Sequence, residues 1–256
     1  MWRTVYLLTA YDGGDFHGWQ RQSDGLRTVQ GVIEEKLRRV VRHPVDLVGC
    51  GRTDAGVHAA GHVSSFETTR DLPPERFRHA IGSRLPDDIT IVALRHIQPG
   101  FDATRHALCK LYRYRIHNSR RKPVEQATQR HTYHCPHQLD LKRMQAGAAH
   151  FLGEQDFRAM AAQPDRRTTT IRTILRCDLH RQGDEIRIDV EGTGFLYHQV
   201  RNMVGTLLDV GRGRWEPDDV RRILASKDRA NAGSTVPARG LCLQWVRYPP
   251  HLLKTP

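Results

Sequence analysis

Val45-Asp46-Leu47-Val48-Gly49-Cys50-Gly51-Arg52-Thr53-Asp54-Ala55-Gly56-Val57-His58-Ala59 is the stretch on which the reading of the fold turns. Its first six residues are strand-like, and a second strand-like run, His62–Phe66, follows shortly after. Between them, Gly51 and Gly56 bracket a charged turn. Glycine lets backbone bend sharply and approach a ligand closely, because it has no Cβ. Asp54 is then displayed from a tight loop, with the Arg52 guanidinium two residues away. A carboxylate presented this way is a candidate nucleophile or base, and a solvated turn is the plain alternative.

Upstream of this loop, Val5 to Ala10 reads as a strand. Thr28 is placed to cap a helix whose apolar residues Val29, Val32, Ile33, Leu37, Val40 and Val41 recur at helical spacing. Downstream, Pro73-Pro74 opens a second helix through Phe77, Ile81 and Leu85, and Ile89–Ile97 returns as a strand. The order is β-α-β-β-α-β. It repeats in the second half: a strand over Leu108–His117, a helix marked by Leu141, Met144, Ala148, Phe151 and Leu152, and a hairpin of Ile171–Leu179 with Ile186–Val190. A long helix over Phe195–Val210, a short one over Pro217–Ala225 and a final strand over Leu241–Tyr248 complete it. The order predicts an α+β protein of two similar split-βαβ (ferredoxin-like) domains, residues 1–104 and 105–256. Their antiparallel sheets are expected to meet at a basic central cleft.

Charge narrows the partner class. Of 256 residues, 40 are Lys or Arg and 28 are Asp or Glu, a net charge of +12. Such a balance suits a polyanion, with nucleic acid the default, and arginine supplies most of it. Five cysteines, scattered and without a C-x-x-C pair, do not form a disulfide framework. No charged-then-apolar leader and no apolar run of membrane-spanning length is apparent, so a soluble cytoplasmic protein is expected. His131, His134, Cys135 and His137 could hold zinc, but no second Cys/His pair lies at finger spacing. Pro136 and the Leu139-Asp140-Leu141 that follows read as a loop leading into a helix. No metal is expected there.

The Gly51–Ala59 run resembles the signature of the tRNA pseudouridine synthase A family. So do Tyr11-Asp12-Gly13 and Phe16-His17-Gly18-Trp19-Gln20 near the N-terminus. Phe101, Arg105, Ala107 and Lys110-Leu111-Tyr112-Arg113-Tyr114 resemble the family's central strand, and Phe151–Phe157 its Gly-x-x-Asp-Phe element. Gly194–Asn202 and Gly240-Leu241-Cys242-Leu243 resemble its C-terminal motifs. The similarity runs nearly the whole chain in the family's order. Asp102 and Gln199 depart from it, where histidine and methionine are frequent.

The resemblance implies isomerisation of uridine to pseudouridine in tRNA, at positions 38–40 of the anticodon stem-loop, by a homodimer without a cofactor. Asp54 is the implied nucleophile, attacking the sugar or taking a proton from it. Tyr112 lies on an alternating strand, where an aromatic ring can stack on a flipped base or can equally be core; the family match favours the first. Arg201 sits in an apolar helix, where burying a guanidinium asks for a carboxylate, with Asp54 the expected partner; an arginine snorkelling at the helix edge is the alternative. Arg52 is placed to fill the gap left by a flipped base. Leu243 is implied at the substrate. Arg21, Arg78, Arg105, Arg158, Arg166 and Arg167 are candidate phosphate contacts. A catalytically silent tRNA-binding or RNA-folding protein of the same fold is the alternative, and the joint presence of Arg52, Asp54, Tyr112 and Arg201 argues against it.

Overall fold

A computed structural model describes residues 1–23, 25–162 and 169–254. The chain forms two compact units, one of Met1–Cys109 with Leu243–Pro256 and one of Lys110–Cys242. Both mix helices with strands, the expected α+β class.

In the first unit, β1 (Arg3–Tyr11) is the central strand. It pairs antiparallel with both β3 (His58–Thr68) and β4 (Ile89–Ile97). Two helices cover this sheet's apolar side: α1 (Val29–Val41) after β1 and α2 (Pro74–Gly82) before β4. Thr28 caps α1 as expected, its hydroxyl accepting from the Gly31 N–H. The core is built from Val5, Leu7, Ile33, Leu37, Phe77 and Ile81, all fully buried.

The buried face of α1 is not purely apolar. Glu34 is fully buried, and its carboxylate accepts from the Leu47 N–H at 3.2 Å and from Arg21 at 2.5 Å. Gln30, one turn earlier, donates to the Leu47 carbonyl at 3.0 Å. Side chains of α1 therefore hold the backbone of Leu47. The strand expected over Val45–Cys50 shrinks for this reason to β2, Val48–Gly49, which pairs with β3. β3 in turn runs well beyond the expected His62–Phe66.

In the second unit, β5 (Cys109–His117) pairs antiparallel with β9 (Glu185–Gly192), β9 with β8 (Ile171–Gln182), and β8 with β7 (Gly153–Asp156). A short β6 (Tyr133–His134) joins β5 in parallel, an exception to the all-antiparallel expectation. α3 (Gln126–His131), which precedes it, buries no residue. α4 (Leu141–Ala149) and α5 (Gln199–Gly211) follow, then α6 (Asp219–Ser226) and β10 (Leu241–Arg247). From Leu243 onward the chain belongs to the first unit.

α5 begins four residues later than the expected Phe195. Tyr197 lies in the preceding turn, half exposed, and His198 takes a left-handed φ of 61° at the N-cap. A non-glycine residue held there costs about 1–3 kcal/mol and persists only where its surroundings enforce it. α5 is also less apolar than expected, since Asn202, Thr206 and Asp209 are buried on it.

Candidate active site

Backbone on both sides of Asp54 is fixed by partners far away in sequence. The Thr53 hydroxyl hydrogen-bonds the Tyr11 phenol at 2.8 Å, and the Thr53 carbonyl accepts from the Trp19 N–H at 3.0 Å. The Gly51 carbonyl lies 3.0 Å from His62 Nε2, and the Gly56 N–H donates to the Phe16 carbonyl at 3.3 Å. Asp54 closes the turn itself, its carbonyl accepting from the Val57 N–H at 3.1 Å.

The aromatic side chains behind the loop pack on one another. Trp19 is buried and stacks on His62 with ring centroids 3.7 Å apart. The turn's shape depends on glycines inside the loop and on glycines of the N-terminal motif. Gly56 has a φ of +78°, open to glycine at little cost. Gly51 lies outside the left-handed region; Gly18, in the N-terminal motif, has a φ of +92°, and a Cβ there would stand 2.8 Å from the Thr53 carbonyl oxygen. The N-terminal motif residues Tyr11, Gly18 and Trp19 thus form the seat of the Asp54 loop.

Within that frame Thr53 is buried, Asp54 is half-buried and Arg52 is exposed. The Arg52 guanidinium makes no hydrogen bond or ion pair among the described residues, which leaves it available to a ligand. Beside the loop, buried His58 brings Nδ1 within 3.0 Å of Asp12 Oδ1 and 3.1 Å of the Gly13 N–H. Leu243, on β10 in the same unit, is buried.

Tyr112 and Arg201 belong to the second unit. On β5, Tyr112, Tyr114 and Ile116 form the buried set, while Arg113 and Arg115 alternate with them on the other face. Tyr114 is core: fully buried, with its hydroxyl donating to the Pro237 carbonyl at 2.8 Å. Burial pushes its phenol well above the usual value. Tyr112 keeps 9% of its surface and meets the Phe195 ring edge to face at 5.2 Å. Arg201, in the first turn of α5, is half-buried and donates from Nε to the Val236 carbonyl at 2.8 Å.

Other expected residues have structural tasks. Arg21 is committed to buried Glu34, and Arg78 to Glu75. Arg166 and Arg167 lie outside the described residues. His134 Nε2 hydrogen-bonds the Ser119 carbonyl, and buried Cys135 turns its thiol to the His137 carbonyl while accepting from Arg212. In the Gly-x-x-Asp-Phe element, Asp156 accepts from the Thr170 hydroxyl at 2.6 Å and the Arg158 N–H at 3.0 Å, with Lys227 at 3.3 Å.

Comparison with known proteins bears on the chain as a whole. The tRNA pseudouridine synthase family matches residues 7–101 and 148–249. The chain belongs to this family. A tRNA pseudouridine synthase A of Acetivibrio thermocellus is 42% identical over 247 residues, 96% of this chain and all of that one. One from Pelobacter propionicus is 45% identical over 247 residues with the same coverage, and one from Exiguobacterium sibiricum 42% identical over 240 residues, 93% of this chain and 94% of its own. As a tRNA pseudouridine synthase, the protein is an isomerase that acts on tRNA. No described helix is long and apolar enough to cross a membrane.

Proposed function

We propose that the enzyme isomerises uridine at positions 38–40 of the tRNA anticodon stem-loop, with Asp54 as the catalytic carboxylate. The observation that carries this reading is the fixed backbone around Asp54. Hydrogen bonds from Tyr11, Trp19 and His62 hold Thr53 and Gly51, so the carboxylate is preorganised at little entropic cost when substrate arrives. The chemistry needs no added atoms. The C1′–N1 bond breaks, the uracil turns, C5 bonds to C1′, and the proton on C5 is lost as N1 gains one. Asp54 either attacks the sugar or takes a proton from it while uracil departs.

Arg52, exposed and uncommitted, enters the stack in place of the flipped uridine. Tyr112 stacks on the uracil and its hydroxyl handles the C5 proton; Leu243 supplies apolar contact. Arg201 pairs with Asp54 and keeps it ionised. No cofactor or metal takes part. The enzyme works in the cytoplasm as a homodimer, and its net charge of +12 draws the tRNA backbone to it.

Tritium release from tRNA carrying uridine labelled at C5 tests the reading. Asp54→Asn should abolish release while tRNA affinity stays within about threefold, because affinity is spread over many phosphate contacts. Release near the wild-type rate would remove Asp54 from the mechanism. Mapping the modified positions in the product tests the 38–40 assignment.

A further inference from the structure

One residue past Arg201, α5 carries a buried polar cluster with no part in the proposed chemistry. Asn202 is fully buried. Its Nδ2 donates to the Met160 carbonyl at 2.8 Å, and its Oδ1 accepts from the Thr235 hydroxyl at 2.6 Å and Arg229 Nη2 at 3.0 Å. Arg229 also donates to Thr235 Oγ1 at 3.1 Å and to the Ala232 carbonyl at 3.2 Å. Each of these acceptors is neutral, and no carboxylate meets this guanidinium among the described residues. Burial without a countercharge holds its pKa below the usual arginine value.

A half-buried cation facing only neutral acceptors is a costly choice if packing were the sole need. Its geometry shows what the cost secures. The planar fork of Arg229 reaches at once a side chain of α5 and two residues of the strap 232–236 that lies along that helix. Two more contacts fix the same strap. The Gly233 N–H donates to Thr206 Oγ1 at 3.1 Å, and the Val236 N–H approaches the Arg201 carbonyl at 3.5 Å. The strap then ends at the Val236 carbonyl, which accepts from Arg201 Nε at 2.8 Å.

We infer that Asn202, Thr235 and Arg229 are positioning residues for Arg201: they fix the height of the strap, so the Val236 carbonyl sets the plane of the Arg201 guanidinium. A guanidinium is planar, so holding Nε determines where both Nη groups point, which is what bidentate pairing with a carboxylate demands. The inference rests on the proposed role of Arg201.

Thr235→Val keeps the side chain's shape and loses the hydroxyl; Thr235→Ser keeps the hydroxyl. The experiment measures kcat and KM for tRNA with each, together with Tm, and runs Arg201→Ala and Arg229→Met in parallel. A shift of the Arg201 plane predicts about a tenfold fall in kcat for Thr235→Val, with KM within twofold, since misplacement by a fraction of an ångström costs turnover rather than binding. Thr235→Ser should recover kcat to within about twofold of wild type, and Arg229→Met should lower kcat at least as much as Thr235→Val while the protein remains folded at the assay temperature. Wild-type kcat in Thr235→Val, or no recovery in Thr235→Ser, would overturn the inference. If Thr235→Val is intact while Arg201→Ala is inactive, only the positioning idea fails. If Arg201→Ala itself turns over normally, the role given to Arg201 fails, and the positioning idea with it.

Discussion

Gly205 of α5 and Ser234 of the strap are in backbone contact: a methyl added to Gly205 would stand 1.9 Å from the Ser234 carbonyl oxygen. Neither atom belongs to a flexible side chain, so one of the two backbones would have to move. Gly205→Ala should therefore destabilise the second unit by about 2–3 kcal/mol, as overpacking does, despite alanine's better helix propensity. Gly147→Ala on α4 is the control, because its added methyl would meet only side-chain atoms, the nearest being Val220 Cγ2 at 3.3 Å. Urea unfolding of both variants checks the ranking; equal stabilities would mean the strap yields freely.

Across β5 and β9, Arg113 and Asp189 are directly opposed in register and form two parallel bonds of 2.7 Å, Nε to Oδ1 and Nη2 to Oδ2. Asp189 is buried, and the pairing raises the Arg113 pKa. Removing one member strands the other. Arg113→Leu should cost about 2–3 kcal/mol, a value lowered from the fully buried case because the arginine side chain is 30% exposed. The double variant Arg113→Leu with Asp189→Leu should recover more than half of that loss. Additive losses in a double-mutant cycle would contradict the pairing.

Arg201→Lys tests the role of a planar group over that of a charge. Lysine has no Nε–H for the Val236 carbonyl and cannot form two parallel bonds to a carboxylate. Turnover should fall by roughly a hundredfold, close to the loss in Arg201→Ala, with modest loss of tRNA affinity. A lysine variant that turns over like wild type would show that charge alone suffices.

Much of this architecture was legible in the sequence, and the exceptions have physical causes. The spacing of Val29, Ile33, Leu37 and Val41 located α1, and Thr28 its cap, because an amphipathic helix writes its period into the chain. β2 was overestimated because the backbone of Leu47 is taken by Gln30 and Glu34 side chains, a non-local competition that strand propensity does not register. α3 was missed because it buries nothing and so shows no period. The start of α5 was misplaced because Phe195 and Leu196 extend its apolar pattern past the break at His198. At the site, glycine spacing singled out the Asp54 loop, but the Tyr11–Thr53 bond that holds it joins residues 42 apart and leaves no local mark. The same holds for the cluster around Asn202, hidden in a helix that otherwise reads as apolar.

Acid should weaken the second unit through Asp156. Burial alone would raise its carboxyl, but the Thr170 hydroxyl, the Arg158 N–H and Lys227 outweigh it and hold the pKa below the usual aspartate value. Glu185 follows the same logic, with burial offset by Arg115 and Arg187. A carboxyl whose folded pKa lies below its unfolded value stabilises the fold at any pH above the unfolded value. That contribution disappears as pH falls through the folded value, so the window opens near pH 4 and extends downward. Asp156→Asn loses the charge-assisted contacts at every pH and should cost about 1 kcal/mol at neutrality. Below about pH 4 the aspartate of the unfolded chain takes up a proton while the folded one keeps its charge to lower pH, so the gap between the two proteins should narrow as pH falls towards the folded value. Urea unfolding at neutral pH and near pH 3 reads this directly. A gap that stays constant, or widens in acid, would mean that Asp156 holds the turn after β7 by shape and not by charge.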